Sequence, residues 1–457
     1  MTGFVPPKPV PHEKKLNPLR RFFVTMHNSL DSLYARSYRM KLGDVRMVGR
    51  TMYFVNQPDL VSRVLLGDVE RYPKSDLMAT MLELLLGQSI FVSNGELWKQ
   101  QRRMMDPAFD ITRIKAIFPL MRESADAMAA RLLEGGGGPD TAIDLEMTHV
   151  TADVIFRTIY SRPFAREEAE IIFENFERFQ RLAYLHGIWS LAGVPDWLSI
   201  GKARARRYAR TIRELLHAPV RTRLAKMEAG DLVPDNDLLS SFIAAKDPDT
   251  GKTFTEEELV DQIGIMFLAG HETSASALAW ALYLIANDPD VQARLHEEAD
   301  AVFDDGPLIF AKMKRLGFTR DVFREALRLY PPVAFVPRDA THEEAMRDKT
   351  IAAGSILSIS PWLLHRHEQY WDDPDVFDPD RYKRRETKES ERKAYLPFSK
   401  GPRVCLGASF ALQEAVIILA TLMRDWRFTP VEGHVPEPTA RLTLRSDNGI
   451  RLHMERR

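Results

Sequence analysis

The chain has 457 residues, 45% of them hydrophobic and 28% charged, and a formal net charge of −1. That leaves ample apolar material for a large core and no global charge to draw nucleic acid or an anionic membrane. A single cysteine excludes an internal disulfide and any cysteine-rich zinc or iron–sulfur site.

Residues 1–20 read as an irregular, Pro-rich lead-in with no apolar run long enough for a signal peptide or membrane anchor, so a cytoplasmic protein is expected. Residues 45–48 and 52–55 flank Gly49 as strand, turn and strand. The stretch after Gln57-Pro58-Asp59-Leu60 reads as a helix ending near Gly67. Residues 95–245 are mostly helical in period, with breaks at 135–139, 162–163 and 193–195. The stretch 186–195, with Gly187 and Pro195, is a candidate mobile lid; an ordinary helix–helix connection is the alternative. Asn94-Gly95-Glu96 opens a helix on which Trp98 and Arg102, four apart, share a face.

Thr255-Glu256-Glu257-Glu258 is a capping box that opens a helix running to about Asn287. Gly270 in its middle costs about 1 kcal/mol, and Glu272-Thr273 puts polar groups into an apolar stretch. Close helix packing and a solvated glutamate would account for these residues. The functional alternative is that Gly270 gives room over a flat cofactor while the acid–hydroxyl pair relays protons. Further on, Glu325 and Arg328 form an i,i+3 pair on a helix stopped by Pro331-Pro332, in isolation a surface ion pair of small worth. The charged run 383–393 reads as a solvated loop.

The last distinctive stretch is Phe398-Ser399-Lys400-Gly401-Pro402-Arg403-Val404-Cys405-Leu406-Gly407. A turn at Gly401-Pro402, a cation at Arg403 and a helix opening after Gly407 surround the only thiol. Cation and helix N-terminus should both lower its pKa. An inert buried cysteine is the bland alternative.

The spacing Phe-x-x-Gly-x-Arg-x-Cys-x-Gly resembles the haem-ligand loop of the cytochromes P450. The resemblance implies that Cys405 is the axial iron ligand, that Phe398, Gly401 and Gly407 belong to the same cofactor-binding loop, and that Arg403 helps to clamp the haem propionates. It extends over nearly the whole chain. Trp98 and Arg102 resemble a helix that holds a haem propionate, and Arg338 matches a second propionate arginine. Ala269 and Gly270 would lie over the haem, with Glu272 and Thr273 delivering protons to bound dioxygen. Glu325 and Arg328 would join Arg381, in Phe377-Asp378-Pro379-Asp380-Arg381-Tyr382, as a structural triad.

The implied fold is a single, mainly α domain with small β-sheets (α+β) over residues 21–457. Its β-rich portions fall at about 34–65 and 330–457, its helical portion at about 95–330. The implied activity is monooxygenation by haem b, using dioxygen and a hydrophobic small molecule, with Phe91, Phe267, Val333, Phe335 and Thr443 in the substrate pocket. The segments expected to line it are 89–92, 176–197, 265–269, 333–336 and 442–444. No flavin or NAD(P) domain is expected within the chain, nor any nucleic-acid partner. Electrons would come from a separate ferredoxin or flavodoxin and its reductase, docked on Lys99, Arg102, Arg103, Lys400 and Arg403. A peroxide-driven peroxygenase or isomerase and a non-catalytic haem protein are the competing readings.

Overall fold

Asn17 accepts a hydrogen bond from the Arg20 amide and Pro18 fixes the first φ, so helix α1 (Pro18–His27) begins inside the lead-in expected to be irregular. The structure, a computed structural model, describes residues 3–47, 49–135, 137–195, 201–232 and 236–457. Strands β1 (Leu42–Arg46) and β2 (Thr51–Val55) pair antiparallel around Gly49, whose φ of +77° suits glycine. Helix α2 (Pro58–Leu66) then stops before Gly67, and α3 (Asp76–Leu86) and α4 (Gly95–Met105) follow.

The helical portion continues as α5 (Ile111–Gly135), strand β3 (Gly138–Ala142), α6 (Ile143–Tyr160), α7 (Arg166–Leu191), α8 (Lys202–Glu228) and α9 (Leu238–Ala244). Helix α7 runs through Gly187 without interruption, so the break expected there comes only after Leu191. At Gly187 a Cβ would stand 2.6 Å from the Met81 sulfur, so this glycine lets α3 pack closely on α7. Residues 196–200, including Trp197 of the expected pocket lining, lie outside the described residues.

Helix α10 (Glu256–Ala286) is the axis of the core. Its capping box is closed at both ends: the Glu258 amide donates to Thr255 Oγ1 at 3.3 Å and the Thr255 amide to Glu258 Oε2 at 2.8 Å. Nearly every residue from Leu259 to Ala286 is buried, with α6 and α8 against it and Trp280 stacked on Tyr330 at 3.8 Å. The least buried exception is Ala269.

Beyond α10 come α11 (Pro289–Phe303), α12 (Gly317–Leu329), β4 (Val336–Asp339), the hairpin β5 (Glu344–Met346) and β6 (Lys349–Ile351), and β7 (Ile356–Ile359). Strand β7 pairs parallel with β2 and antiparallel with β4, giving the order β1-β2-β7-β4. The stretch beyond 330 also carries helices: α13 (Pro361–Leu364), α14 (Thr387–Ala394) and α15 (Ala408–Asp425). Helix α14 replaces the loop expected in the charged run, because Thr387 and Ala394 are buried and Glu391 pairs with Arg324. Strands β8 (Trp426–Pro430), β9 (Pro438–Ala440), β10 (Leu444–Ser446) and β11 (Arg451–Arg456) complete the order β3-β11-β8 and the pair β9-β10.

Candidate active site

The cysteine loop is folded by its own backbone. The Cys405 amide donates to the Phe398 carbonyl at 3.0 Å, and Ser399 and Gly401 take φ of +61° and +79°. A Cβ at Gly401 would stand 2.2 Å from the Leu65 carbonyl oxygen of α2, so this position requires glycine. At Gly407, the residue before α15, no protein atom lies within 4 Å of where a Cβ would stand.

Cys405 is accessible, yet protein crowds it enough that burial pushes its thiol above the ordinary value. The Gly407 amide and the Arg102 charge pull the other way and do not prevail. This corrects the expectation of a thiol pKa lowered by Arg403. That guanidinium turns away, donating to the Tyr72 carbonyl at 2.8 Å and the Val69 carbonyl at 3.0 Å.

Around the loop gather four cations. Arg338 is buried on β4, and an isolated bridge sets Lys74 beside it. Burial, reinforced by Arg403, Arg338 and Arg102, pushes Lys74 down to about 6. Burial and Arg403 push Arg338 down to about 10, and burial does the same to Arg403. Among the described residues Lys74 Nζ donates to the Ile90 and Ser93 carbonyls, both at 2.6 Å, with no carboxylate beside it, and Arg403 Nε has no partner. Arg102 donates to the Val404 carbonyl at 2.7 Å and pairs with Asp106. Trp98 is buried with Arg403 over its ring at 5.0 Å. Burying like charges together with so little compensation is costly. The donor set fits a flat cofactor that carries carboxylates on one edge, as haem does. Lys74 was absent from the sequence reading.

On α10 the helical period sorts the motif. Ile265, Leu268, Ala269, Glu272 and Thr273 line a cavity of ≈ 600 Å³. Gly270 does not: a Cβ there would meet Ile155 of α6 at 2.8 Å, so its use is close helix packing rather than room over a cofactor. Phe267 is likewise corrected. It points away from the cavity and packs on Phe156, Phe164 and His271, because it lies on the opposite helix face. Phe91, Val333, Phe335 and Thr443 do line the cavity, whereas Ser89, Ile90 and Val92 are buried outside it.

Thr273 Oγ1 donates to the Ala269 carbonyl at 2.7 Å. Glu272 is engaged elsewhere: it accepts from Arg445 Nε at 2.6 Å, Thr443 Oγ1 at 2.7 Å and Gln180 Nε2 at 3.0 Å. Burial raises its pKa, but Arg445 and these bonds outweigh it and hold the carboxyl below its usual range. The partners come from α7 and from the start of β10, and no local motif announces them.

Under the site, Glu325 on α12 accepts from Arg328 Nε at 2.9 Å and Nη2 at 2.7 Å, and from Arg381 Nε at 2.9 Å. Arg328 also donates to the His365 and Val376 carbonyls, and all three residues are buried. The expected docking face is largely spent internally. Lys99 pairs with Glu70 and Glu96, and Arg103 with Asp247, so these charges are unavailable as a bare cationic patch.

A family model described as Cytochrome P450 matches residues 10–453. The chain is 31% identical to cyclooctatin synthase of Streptomyces melanosporofaciens over 88% of this chain and 86% of that protein. It is 32% identical to cyclooctat-9-en-7-ol 5-monooxygenase of the same organism over 86% and 83%. Pentalenene oxygenase of Streptomyces avermitilis is 29% identical over 94% of both chains. Among solved structures, the haem domain of cytochrome P450DA superposes with a TM-score of 0.82 at 25% identity, covering 98% of each chain.

Proposed function

The chain belongs to the cytochrome P450 family and is a haem-thiolate monooxygenase, and we propose that Cys405 ligates the iron of a haem b. In this reading Lys74, Arg102, Arg338 and Arg403 hold the propionates, and electrons arrive from a separate ferredoxin or flavodoxin. One observation carries the assignment: three poorly compensated cations, Lys74, Arg338 and Arg403, converge with Arg102 beside the loop of the only cysteine. Bound there, haem supplies the binding and activation of dioxygen, which thiolate donation favours.

The chain's own residues do the rest. The apolar walls, with Leu268, Ala269, Val333 and Phe335, orient a hydrophobic substrate and exclude water. Thr273 holds a hydroxyl at the cavity wall. Glu272 takes up a proton only when its bonds to Arg445 loosen, and passes it toward Thr273. Relatives named for pentalenene and cyclooctat-9-en-7-ol support a largely hydrocarbon substrate. A cytoplasmic location belongs to the same reading; among the described residues no helix is long and apolar enough to cross a membrane.

The test is oxidation of a bound hydrocarbon with two electron sources. Product that requires dioxygen together with reduced ferredoxin or flavodoxin is expected. Equal turnover on hydrogen peroxide alone would replace the monooxygenase reading with the peroxygenase one.

A further inference from the structure

The apolar cavity does not end in apolar residues. A second cavity of ≈ 640 Å³ adjoins it, and Leu16, Arg21, Ser32, Val45, Arg46 and Phe54 line both. The ionisable wall of this second space is lopsided: Lys15, Arg21, Arg36, Arg46 and Lys349 stand against Asp44 alone. Lys349 donates to Asp44 at 2.7 Å, and the more distant charges of Arg46 and Lys15 act on the same carboxylate, so one acid faces five cations. Among the described residues, none of Lys15, Arg21, Arg36 and Arg46 forms an ion pair.

Arg21, on α1, is half-buried, and burial together with nearby Arg36 lowers its pKa against the opposing pull of Tyr34. Both guanidiniums lie near the Tyr34 ring, Arg21 at 5.9 Å and Arg36 at 5.5 Å from its centre. Cations held this close, one of them partly desolvated, are stabilised by an anion shared among them. In the first cavity the other charges are already matched: Glu272 by Arg445, and Arg441 by Asp447 at 2.8 Å.

We propose that Arg21 and Arg46, backed by Arg36 and Lys15, form an oxyanion subsite that anchors the acidic head of an amphipathic substrate whose apolar body fills the first cavity. The inference rests on reading that cavity as the substrate site. The head is a carboxylate or a phosphate, since guanidinium forks suit both. The names of the relatives contain a neutral alkene and an alkenol, so the subsite is argued from this chain's own residues alone.

Calorimetric titration of the holoenzyme with dodecanoate, dodecyl phosphate and dodecanol tests it without reference to turnover. At least one acid is expected to bind about tenfold tighter than dodecanol. That preference should shrink with added salt and disappear in the Arg21→Gln/Arg46→Gln variant, while dodecanol affinity is unchanged. The stronger of the two acids identifies the oxyanion. Dodecanol binding as well as both acids, or a preference that survives in the variant, would overturn the subsite and leave the apolar-substrate reading intact. Failure of all three to bind would overturn both.

Discussion

Arg445, on β10, forks onto Glu272 in the middle of the central helix, with its Nε 2.6 Å from Oε1 and its Nη2 on Oε2. Residues 173 positions apart thus fix the charge of a buried carboxylate. Arg445→Leu should cost about 2 kcal/mol in urea unfolding, less than a fully buried pair because the arginine is partly exposed. The pH sign follows from Glu272 being held below its unfolded value. Its stabilisation is complete above the ordinary carboxylate range and is lost as pH falls through the folded pKa. The variant should therefore lack that acid-side loss; identical acid profiles would contradict the pairing.

Glu325 neutralises two buried arginines at once. Glu325→Ala leaves Arg328 and Arg381 uncompensated and should cost about 3–5 kcal/mol. Denaturant unfolding of the protein would show this as a lowered midpoint, whereas a cost below about 1 kcal/mol would mean that water or relaxation replaces the carboxylate.

Lys74 makes opposite predictions for the two forms of the protein. In the apoprotein burial and three arginines disfavour the charge that Lys74 carries in the unfolded chain, so Lys74→Met should make that form more stable. The holoprotein should lose haem to an acceptor such as apomyoglobin about tenfold faster, for want of one charge-assisted contact. Equal loss rates would remove Lys74 from the cofactor's binding set.

Glu414 lies buried in α15 with the Ser274 hydroxyl near it but no well-formed hydrogen bond to either carboxyl oxygen among the described residues, and burial pushes it up to about 8. A carboxyl with a raised folded pKa keeps its proton while the unfolded chain has released it. Stability is therefore lost as pH rises from the ordinary carboxyl range toward 8, by up to ~1.4 kcal/mol per pH unit. Glu414→Gln should lack this slope, so its unfolding free energy should gain on wild type between about pH 5 and pH 8. Parallel profiles would show that the carboxyl is already ionised.

The parts legible in the sequence were those written locally. The hairpin around Gly49, the capped helix from Thr255 and the ten-residue cysteine loop each carry their own spacing, and the loop, with the motifs at Trp98, Ala269 and Glu325, led to the family and its fold. What escaped depended on contacts between distant segments. Lys74 gives no local signal; its burial follows from a bridge to Arg338. The partners of Glu272 come from α7 and from β10. Gly270 looked like cofactor clearance until Ile155 of α6 was seen against it. Phe267 is different, since the 3.6-residue period of α10 already put it on the opposite face from Ala269 and Thr273. Glu414 also left a trace: a lone acid within the apolar run of α15.

The central claim is that Cys405 is the thiolate ligand of a haem. The most direct measurement is the absorption spectrum of the reduced, carbon-monoxide-bound protein, wild type beside Cys405→Ser. The account predicts the red-shifted Soret band characteristic of thiolate ligation in the wild type and its loss in the variant. A histidine-type spectrum in both proteins would contradict it.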